Sequence, residues 1–159
     1  MTRIDQLLAY DLAQQELKRK ESPICKLCRE QDFLYLKDGK CLYNIMAKEI
    51  KKEIDKGVDG VIITHGTDTM HFTAAALSFV LEDLPIPVIL VGAQRSSDRG
   101  SSDAAINLIC AVEFILQTDF AEVGVCMHRA MSDDTCWILP GLKCRKLHSS
   151  RRVAFQPVN

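Results

Sequence analysis

Thr67 and Asp68 are the residues whose types and spacing best suit chemistry. They stand in Val61-Ile62-Ile63-Thr64-His65-Gly66-Thr67-Asp68-Thr69, an apolar run that leads straight into a Gly-Thr-Asp-Thr turn. A threonine hydroxyl is a weak nucleophile at neutral pH. It needs a base within hydrogen-bond reach, and the base needs a group to orient it. A lysine can be that base when its neighbours lower its pKa, but the sequence holds several lysines and spacing alone selects none. Backbone N–H groups at the start of a following helix could hold a carboxylate or a developing oxyanion. The same residues also suit a plainer role, a capped turn in which Thr and Asp bond only to the local backbone. Phosphate chemistry is not indicated, because neither G-x-x-x-x-G-K-[ST] nor G-x-G-x-x-G occurs.

The flanking segments say where this turn must sit. Val61 to Thr64 reads as a buried strand that brings the hydroxyls and the carboxylate to the carboxyl edge of a sheet, where open α/β sheets bind ligands. Before it, residues 43–56 place Ile45, Met46, Ile50 and Ile54 on one helical face, with Gly57 set to end the helix. After the turn a second helix is expected, with Phe72, Ala75, Ala76, Phe79 and Val80 as its buried face. Val88 to Val91 is apolar throughout, as a parallel strand covered on both faces requires. A polar loop, 92–103, follows it. Ser102 or Asp103 then caps a helix from Ala104 to Gln117, with Ile106, Leu108, Ile109, Val112 and Ile115 inward. Val123 to Met127 is a third apolar strand, and Trp137 to Leu139 with Pro140-Gly141 reads as a hairpin or excursion. Nearer the start, Ile4, Leu7, Leu8, Leu12 and Leu17 predict an amphipathic helix over 2–20. Phe33 to Leu36 suit a short strand before the Asp38-Gly39 turn. The alternation predicts an α/β fold with a mainly parallel, doubly wound sheet and right-handed crossovers.

Composition narrows the class. Of 159 residues, 47% are hydrophobic and 26% charged, with a formal net charge of −1. That is enough for a core and argues against a strongly basic nucleic-acid surface. No run of about eighteen apolar residues occurs, so no transmembrane helix is expected. Met1 to Lys20 carries charges throughout and lacks the apolar stretch of a secretory signal. The seven cysteines read as reduced thiols in a cytoplasmic protein. A zinc site at Cys25-x-x-Cys28 with Cys41 is the sharper alternative, but a structural site takes four ligands and only one close pair is present.

Thr64-His65-Gly66-Thr67-Asp68-Thr69-Met70 after an apolar strand, followed by Val88-Ile89-Leu90-Val91-Gly92-Ala93-Gln94-Arg95, resembles the L-asparaginase/glutaminase family. His71-Phe72-Thr73-Ala74-Ala75-Ala76-Leu77-Ser78-Phe79 and Gln94-Arg95-Ser96-Ser97-Asp98-Arg99-x-Ser101-Ser102-Asp103-Ala104-Ala105-x-Asn107-Leu108 make it most similar to one branch, the D-type subunits of archaeal-type Glu-tRNA(Gln) amidotransferase. The resemblance runs from about residue 42 to the C-terminus. It divides the chain into a divergent segment, 1–41, and a partial asparaginase-like α/β domain, 42–159.

The resemblance implies an amidohydrolase-type subunit that releases ammonia from glutamine or asparagine for tRNA-dependent amidation of Glu-tRNA(Gln). Family chemistry uses two threonines, one on each side of the amide, with a Lys-Asp pair beside the second. By resemblance Thr67 is the second threonine and Asp68 the aspartate. Arg145-Lys146-Leu147-His148-Ser149-Ser150-Arg151-Arg152-Val153-Ala154-Phe155 makes Lys146 the lysine. The Gly66 and Ala93 backbones would line the amide site. No metal or cofactor is implied in this chain; ATP and Mg would belong to a tRNA-binding partner subunit, and family members form homo-oligomers.

Several departures accompany the match. The family's first threonine lies in a Thr-Gly-Gly-Thr-Ile segment on the first strand, and none of the 66 residues before Thr67 carries it. The first βα unit and the smaller C-terminal domain are expected to be missing. Val153 stands where an acidic residue is usual. The alternatives are a free L-asparaginase and a catalytically inactive fragment or paralogue.

Overall fold

Short runs of β-branched and aliphatic residues, bounded by Gly, Pro and Asp, build the central layer. The computed structural model describes Leu8–Asp11 and residues 41–158. Its main sheet has five strands in the order β1 (Leu8–Asp11), β2 (Val61–Thr64), β3 (Val88–Val91), β4 (Val123–His128) and β5 (Cys136–Pro140). The first four are parallel, with Val61 opposite Val88 and Val88 opposite Val123. β5 returns antiparallel along β4, with Cys126 opposite Ile138 and His128 opposite Cys136. All of β3 and β4 is buried, which is why their sequences are apolar without alternation.

The expected helix over 2–20 is corrected at Leu8–Asp11, which runs as a strand parallel to β2. β2 presents an edge of unpaired backbone groups that a neighbouring segment can satisfy, and that outweighs a helical spacing of leucines, since local propensity is a weak prior. The rest of that expected helix, the expected strand at 33–36, and Cys25 and Cys28 lie outside the described residues.

Helices cover both faces. α1 (Leu42–Ile54) and α2 (Met70–Val80) pack on the side of Val61, Ile63, Val88 and Leu90. α3 (Ala104–Gln117) packs on the other, against Ile62, Ile89, Val91 and Cys126. Gly60 allows that second contact, since a Cβ there would stand 2.6 Å from Ile115 Cγ2. The β2–α2–β3 and β3–α3–β4 units step in the same direction along the sheet with their helices on opposite faces. Two such crossovers have opposite hands. The expectation of right-handed crossovers throughout is therefore corrected for one of them, a rare departure from the rule.

The buried faces of α2 and α3 also differ from expectation. α2 buries Met70, His71, Thr73, Ala74 and Leu77, while Phe72, Phe79 and Val80 are exposed. α3 buries Asn107, Ala111 and Ile115, a row spaced by four, and leaves Leu108 and Ile109 exposed. Both helices are apolar on nearly every side, so periodicity chooses no face and close packing chooses instead. At α2 the chooser is Gly141: a Cβ there would meet Ala74 O at 2.9 Å and Ser78 Oγ at 2.6 Å.

After β5, a 3₁₀ turn (Gly141–Lys143) leads into a second, two-stranded sheet of β6 (Cys144–Lys146) and β7 (Phe155–Pro157), antiparallel with Lys146 opposite Phe155. Cys144, Ala154 and Phe155 are buried in the same core as α1 and α2. Full burial of a phenylalanine is worth about 1.5–3 kcal/mol, so Phe155 pins this small hairpin to the core. Lys146, directly opposite it in the ladder, is thereby held over the start of α2.

Candidate active site

The ladder between β2 and β3 continues to His65, whose N–H donates to Val91 O at 2.9 Å. The chain then leaves the sheet through Gly66, Thr67, Asp68 and Thr69 and enters α2 at Met70. Thr67 is half-buried, and Gly66 and Asp68 are exposed. Lys146 arrives from the β6–β7 hairpin, 79 residues away in sequence, and donates from Nζ to Thr67 Oγ1 at 2.8 Å. The same Nζ donates to Asp68 Oδ1 at 2.7 Å. The side chain of Lys146 is only 7% exposed, whereas that of Asp68 is 92% exposed. The structure thus brings Thr67, Asp68 and Lys146 together, with Gly66 in the same turn and Ala93 two residues past β3, half-buried.

The electrostatics follow from these contacts. The hydrogen bond from Lys146, reinforced by its charge, holds the Asp68 carboxyl below the ordinary carboxylate value. The pKa of His71, the second residue of α2 and 8% exposed, is lowered too, by burial first and then by the charges of Arg145 and Lys146. The same direction of shift favours the charged form of the exposed carboxylate and the neutral form of the buried imidazole.

Two supports hold the turn in place, and sequence reasoning missed both. His65 Nδ1 donates to Gly66 O at 2.7 Å, which leaves Nε2 to accept from the Thr73 hydroxyl at 3.0 Å. This clamps the residue before Thr67 to the second turn of α2. Gly92 supplies the space: a Cβ there would meet His65 O at 2.7 Å and Thr67 Cγ2 at 3.0 Å.

The second support is a buried polar chain beside the site. Asp103 occupies the N-cap position of α3 but makes no side-chain cap bond. Of the two residues expected to cap the helix, Asp103 does not do so through its side chain, whereas Ser102 does: its Oγ accepts from the Ala104 N–H at 3.2 Å. The Asp103 carboxylate turns inward and accepts from Gln94 N, Arg95 N and Asn107 Nδ2 at 2.9–3.1 Å. Asn107 also donates to Gly92 O at 3.0 Å. Its Oδ1 accepts from His128 Nδ1 at 2.6 Å, and His128 Nε2 donates to Asp133 Oδ1 at 2.9 Å. Asp133 pairs with Arg152, and Arg152 Nη2 donates to Ser101 O at 2.6 Å. The loop after β3 and the loop after Lys146 are therefore tied to one frame. The signal was present in the sequence: Asp103 and Asn107 are spaced by four at the start of an otherwise apolar helix.

A cleft of about 590 Å³, lined by Glu82, Asp83, Glu122 and Leu142 among others, lies at the opposite, amino edge of the parallel strands and plays no part here. Among the described residues, no group of three or more His, Cys, Asp or Glu side chains could hold a metal ion.

Comparison with known proteins decides the family. A family model described as Asparaginase, N-terminal, matches residues 40–159. The chain belongs to the asparaginase family. Over 133 residues this asparaginase-family chain is 56% identical to the D-type subunit of glutamyl-tRNA(Gln) amidotransferase from Archaeoglobus fulgidus, covering 77% of this chain and 31% of that protein. It is 57% identical over 114 residues to the protein of the same name from Pyrococcus horikoshii, covering 72% and 26%. Among solved structures, it is similar to the thermostable L-asparaginase from Thermococcus kodakarensis, with TM-score 0.65 and 33% identity over 74% of this chain and 33% of that one. The probable cytoplasmic L-asparaginase from Campylobacter jejuni gives TM-score 0.63 and 36% identity over 72% and 36%. The chain thus spans about a third, or less, of the length of these members of the asparaginase family. No described helix is long and apolar enough to cross a membrane.

Proposed function

We propose that this chain carries the amide-hydrolysing site of an ammonia-producing subunit of a Glu-tRNA(Gln) amidotransferase. The observation that carries the reading is the single ammonium of Lys146, shared at 2.8 and 2.7 Å between a threonine hydroxyl and a carboxylate. Deprotonated, that nitrogen is within reach to accept the proton of Thr67, or of a water that Thr67 holds. The freed oxygen attacks the side-chain amide carbon of glutamine or asparagine. Asp68 balances the charge that Lys146 acquires, Lys146 returns the proton to the amide nitrogen as the C–N bond breaks, and ammonia leaves; where Thr67 itself attacked, water then hydrolyses the ester left on its oxygen. α2 begins directly behind the turn, and its first N–H groups, which have no intrahelical acceptor, suit the developing oxyanion.

Similarity supports the amidotransferase reading over a free asparaginase: identity to the amidotransferase subunits is 56–57%, against 33–36% to the solved asparaginases. In this reading the ammonia passes to a tRNA-binding partner subunit, which uses ATP and Mg, and this chain itself works without a cofactor.

The test is ammonia release from glutamine and from asparagine by the purified chain, with and without the partner subunit. Release from glutamine that rises with the partner and Glu-tRNA(Gln) supports the reading. Release from asparagine alone, indifferent to both, would favour a free asparaginase. A folded chain that releases none under any of these conditions would overturn the activity.

A further inference from the structure

Lys146 sits on a ribbon of two three-residue strands, and a two-stranded hairpin is marginally stable by itself. Phe155, directly opposite Lys146, pins the ribbon to the core. A ribbon pinned at one place can still swing about it, and Nζ stands at the end of a flexible four-carbon stem. A second anchor is therefore needed to keep Nζ at 2.8 Å from Thr67 Oγ1. The ladder closes where the Leu147 N–H donates to Ala154 O at 2.8 Å. Beyond that pair lies the tip, 148–153, where an anchor has the most leverage.

Gln94 reaches the tip from the loop after β3. Its backbone N–H is held by the Asp103 carboxylate at 3.1 Å. Its side-chain Nε2 donates to Arg151 O at 3.0 Å and, more loosely, to His148 O at 3.5 Å. Carbonyl oxygens only accept, so they fix which end of the amide faces the tip. The other end, Oε1, is inaccessible and has no hydrogen-bond partner among the described residues.

That bare oxygen is informative. A buried acceptor without a donor is a cost to the fold, and a methionine of similar length would fill the position without it. What glutamine adds is the Nε2 donor, and both of its bonds go to the tip. Arg152 makes a further tie, from Nη2 to Ser101 O at 2.6 Å, but that one runs into the frame around Asp103. Gln94 is two residues from Gly92, where Thr67 packs so closely that a Cβ would stand 3.0 Å from Thr67 Cγ2. Through Gln94 the tip is tied to the same stretch of backbone that places Thr67.

We propose that Gln94 is a positioning residue for amide hydrolysis, which holds the 148–153 tip and so keeps Lys146 Nζ on Thr67. The proposal rests on the reading of Lys146 as the base. Gln94 acts through Lys146, because its side-chain bonds go to the tip.

The test replaces Gln94 with Met and, separately, with Glu in the intact chain, and reads two quantities. A glutamate at neutral pH has no donor either. The first quantity is labelling of Lys146 by limiting acetic anhydride, followed by peptide mapping and mass spectrometry. In the native chain the Lys146 side chain is only 7% exposed and should label slowly. In either variant its labelling should rise about two- to tenfold, the range set by the loss of one net hydrogen bond, while the exposed Lys48 labels as before. The second is ammonia release: kcat should fall about tenfold to a hundredfold, the scale of a misplacement of about 1 Å, with KM nearly unchanged. The thermal midpoint of Gln94→Met should stay close to native, because the bare acceptor goes with the donor and the exposed His148 and Arg151 let their carbonyls turn to water. Unchanged labelling of Lys146 would overturn the proposal whether or not the chain is active. Faster labelling with an undiminished kcat would overturn it too. A native chain that releases no ammonia counts against the amide reading, and the labelling then still decides whether Gln94 places Lys146. Loss of the fold in both variants would make Gln94 a structural residue and overturn its positioning role.

Discussion

Two polar clusters stand at the carboxyl edge of the sheet, built on opposite plans. Around Thr67 valencies are left open. An ammonium has three donors, and among the described residues the bonds to Thr67 and Asp68 use two of them. Asp68 is almost wholly in solvent. Around Asp103 valencies are used up. Its carboxylate is inaccessible and takes three hydrogen bonds, and both nitrogens of the inaccessible His128 are engaged. A buried polar group is tolerated when it is satisfied, so saturation marks the Asp103 cluster as framework. Spare donors and acceptors near a half-open surface suit the Thr67 cluster to the amide chemistry proposed for it. The two touch at Gly92, whose carbonyl belongs to the frame and whose missing side chain leaves room for Thr67.

If that division is right, damage to each cluster has its own signature. Lys146→Ala should lower the rate of amide hydrolysis by the roughly 10²–10⁴-fold that a positioned general base contributes, with little change in the denaturant midpoint. A stability loss as large as the rate loss would merge the two clusters. Asp103→Ala should do the reverse: each buried donor left bare costs about 1–3 kcal/mol, to be read from urea unfolding.

Smaller effects sharpen the contrast. The Asp68 carboxyl is held below its ordinary value of 3.8, so its contact with Lys146 contributes at all pH above 3.8 and is lost as the pH falls further, through the folded value. The difference in thermal midpoint between the native chain and Asp68→Asn should therefore be flat from about pH 5 to 7 and close only in stronger acid. A pH titration of both proteins checks this, and a difference that closes near neutrality would deny Lys146 as the partner. At the bottom of the scale, the exposed Lys52–Glu49 pair on α1 belongs to neither cluster. Lys52→Ala should cost at most about 0.5 kcal/mol in the same urea assay.

Sequence made the local half of this arrangement plain. Val61–Thr64, Val88–Val91 and α1 fall where apolar runs and helical spacing put them, because a strand buried on both faces has little choice of residue. The turn through Thr67 and Asp68 was readable because chain neighbours define it. Three features were hidden for a physical reason. Helices apolar all round, as α2 and α3 are, do not announce which side they bury. Leu8–Asp11 pairs with β2 because of an edge far along the chain, which no local window contains. Lys146 was selected by resemblance alone, and the reason it reaches Thr67 is the burial of Phe155, its direct partner in the hairpin ladder, and of the adjoining Ala154. The frame from Asp103 to Arg152 was hidden by distance too, apart from the Asp103–Asn107 spacing.

The measurement that bears most directly on the central claim is ammonia release from glutamine by the native chain with its partner subunit, set beside the same assay of Thr67→Ala and Lys146→Ala. The account predicts release by the native chain, loss in both variants, and unchanged circular dichroism in all three. Undiminished release by a folded Thr67→Ala or Lys146→Ala chain would contradict it and move the site elsewhere.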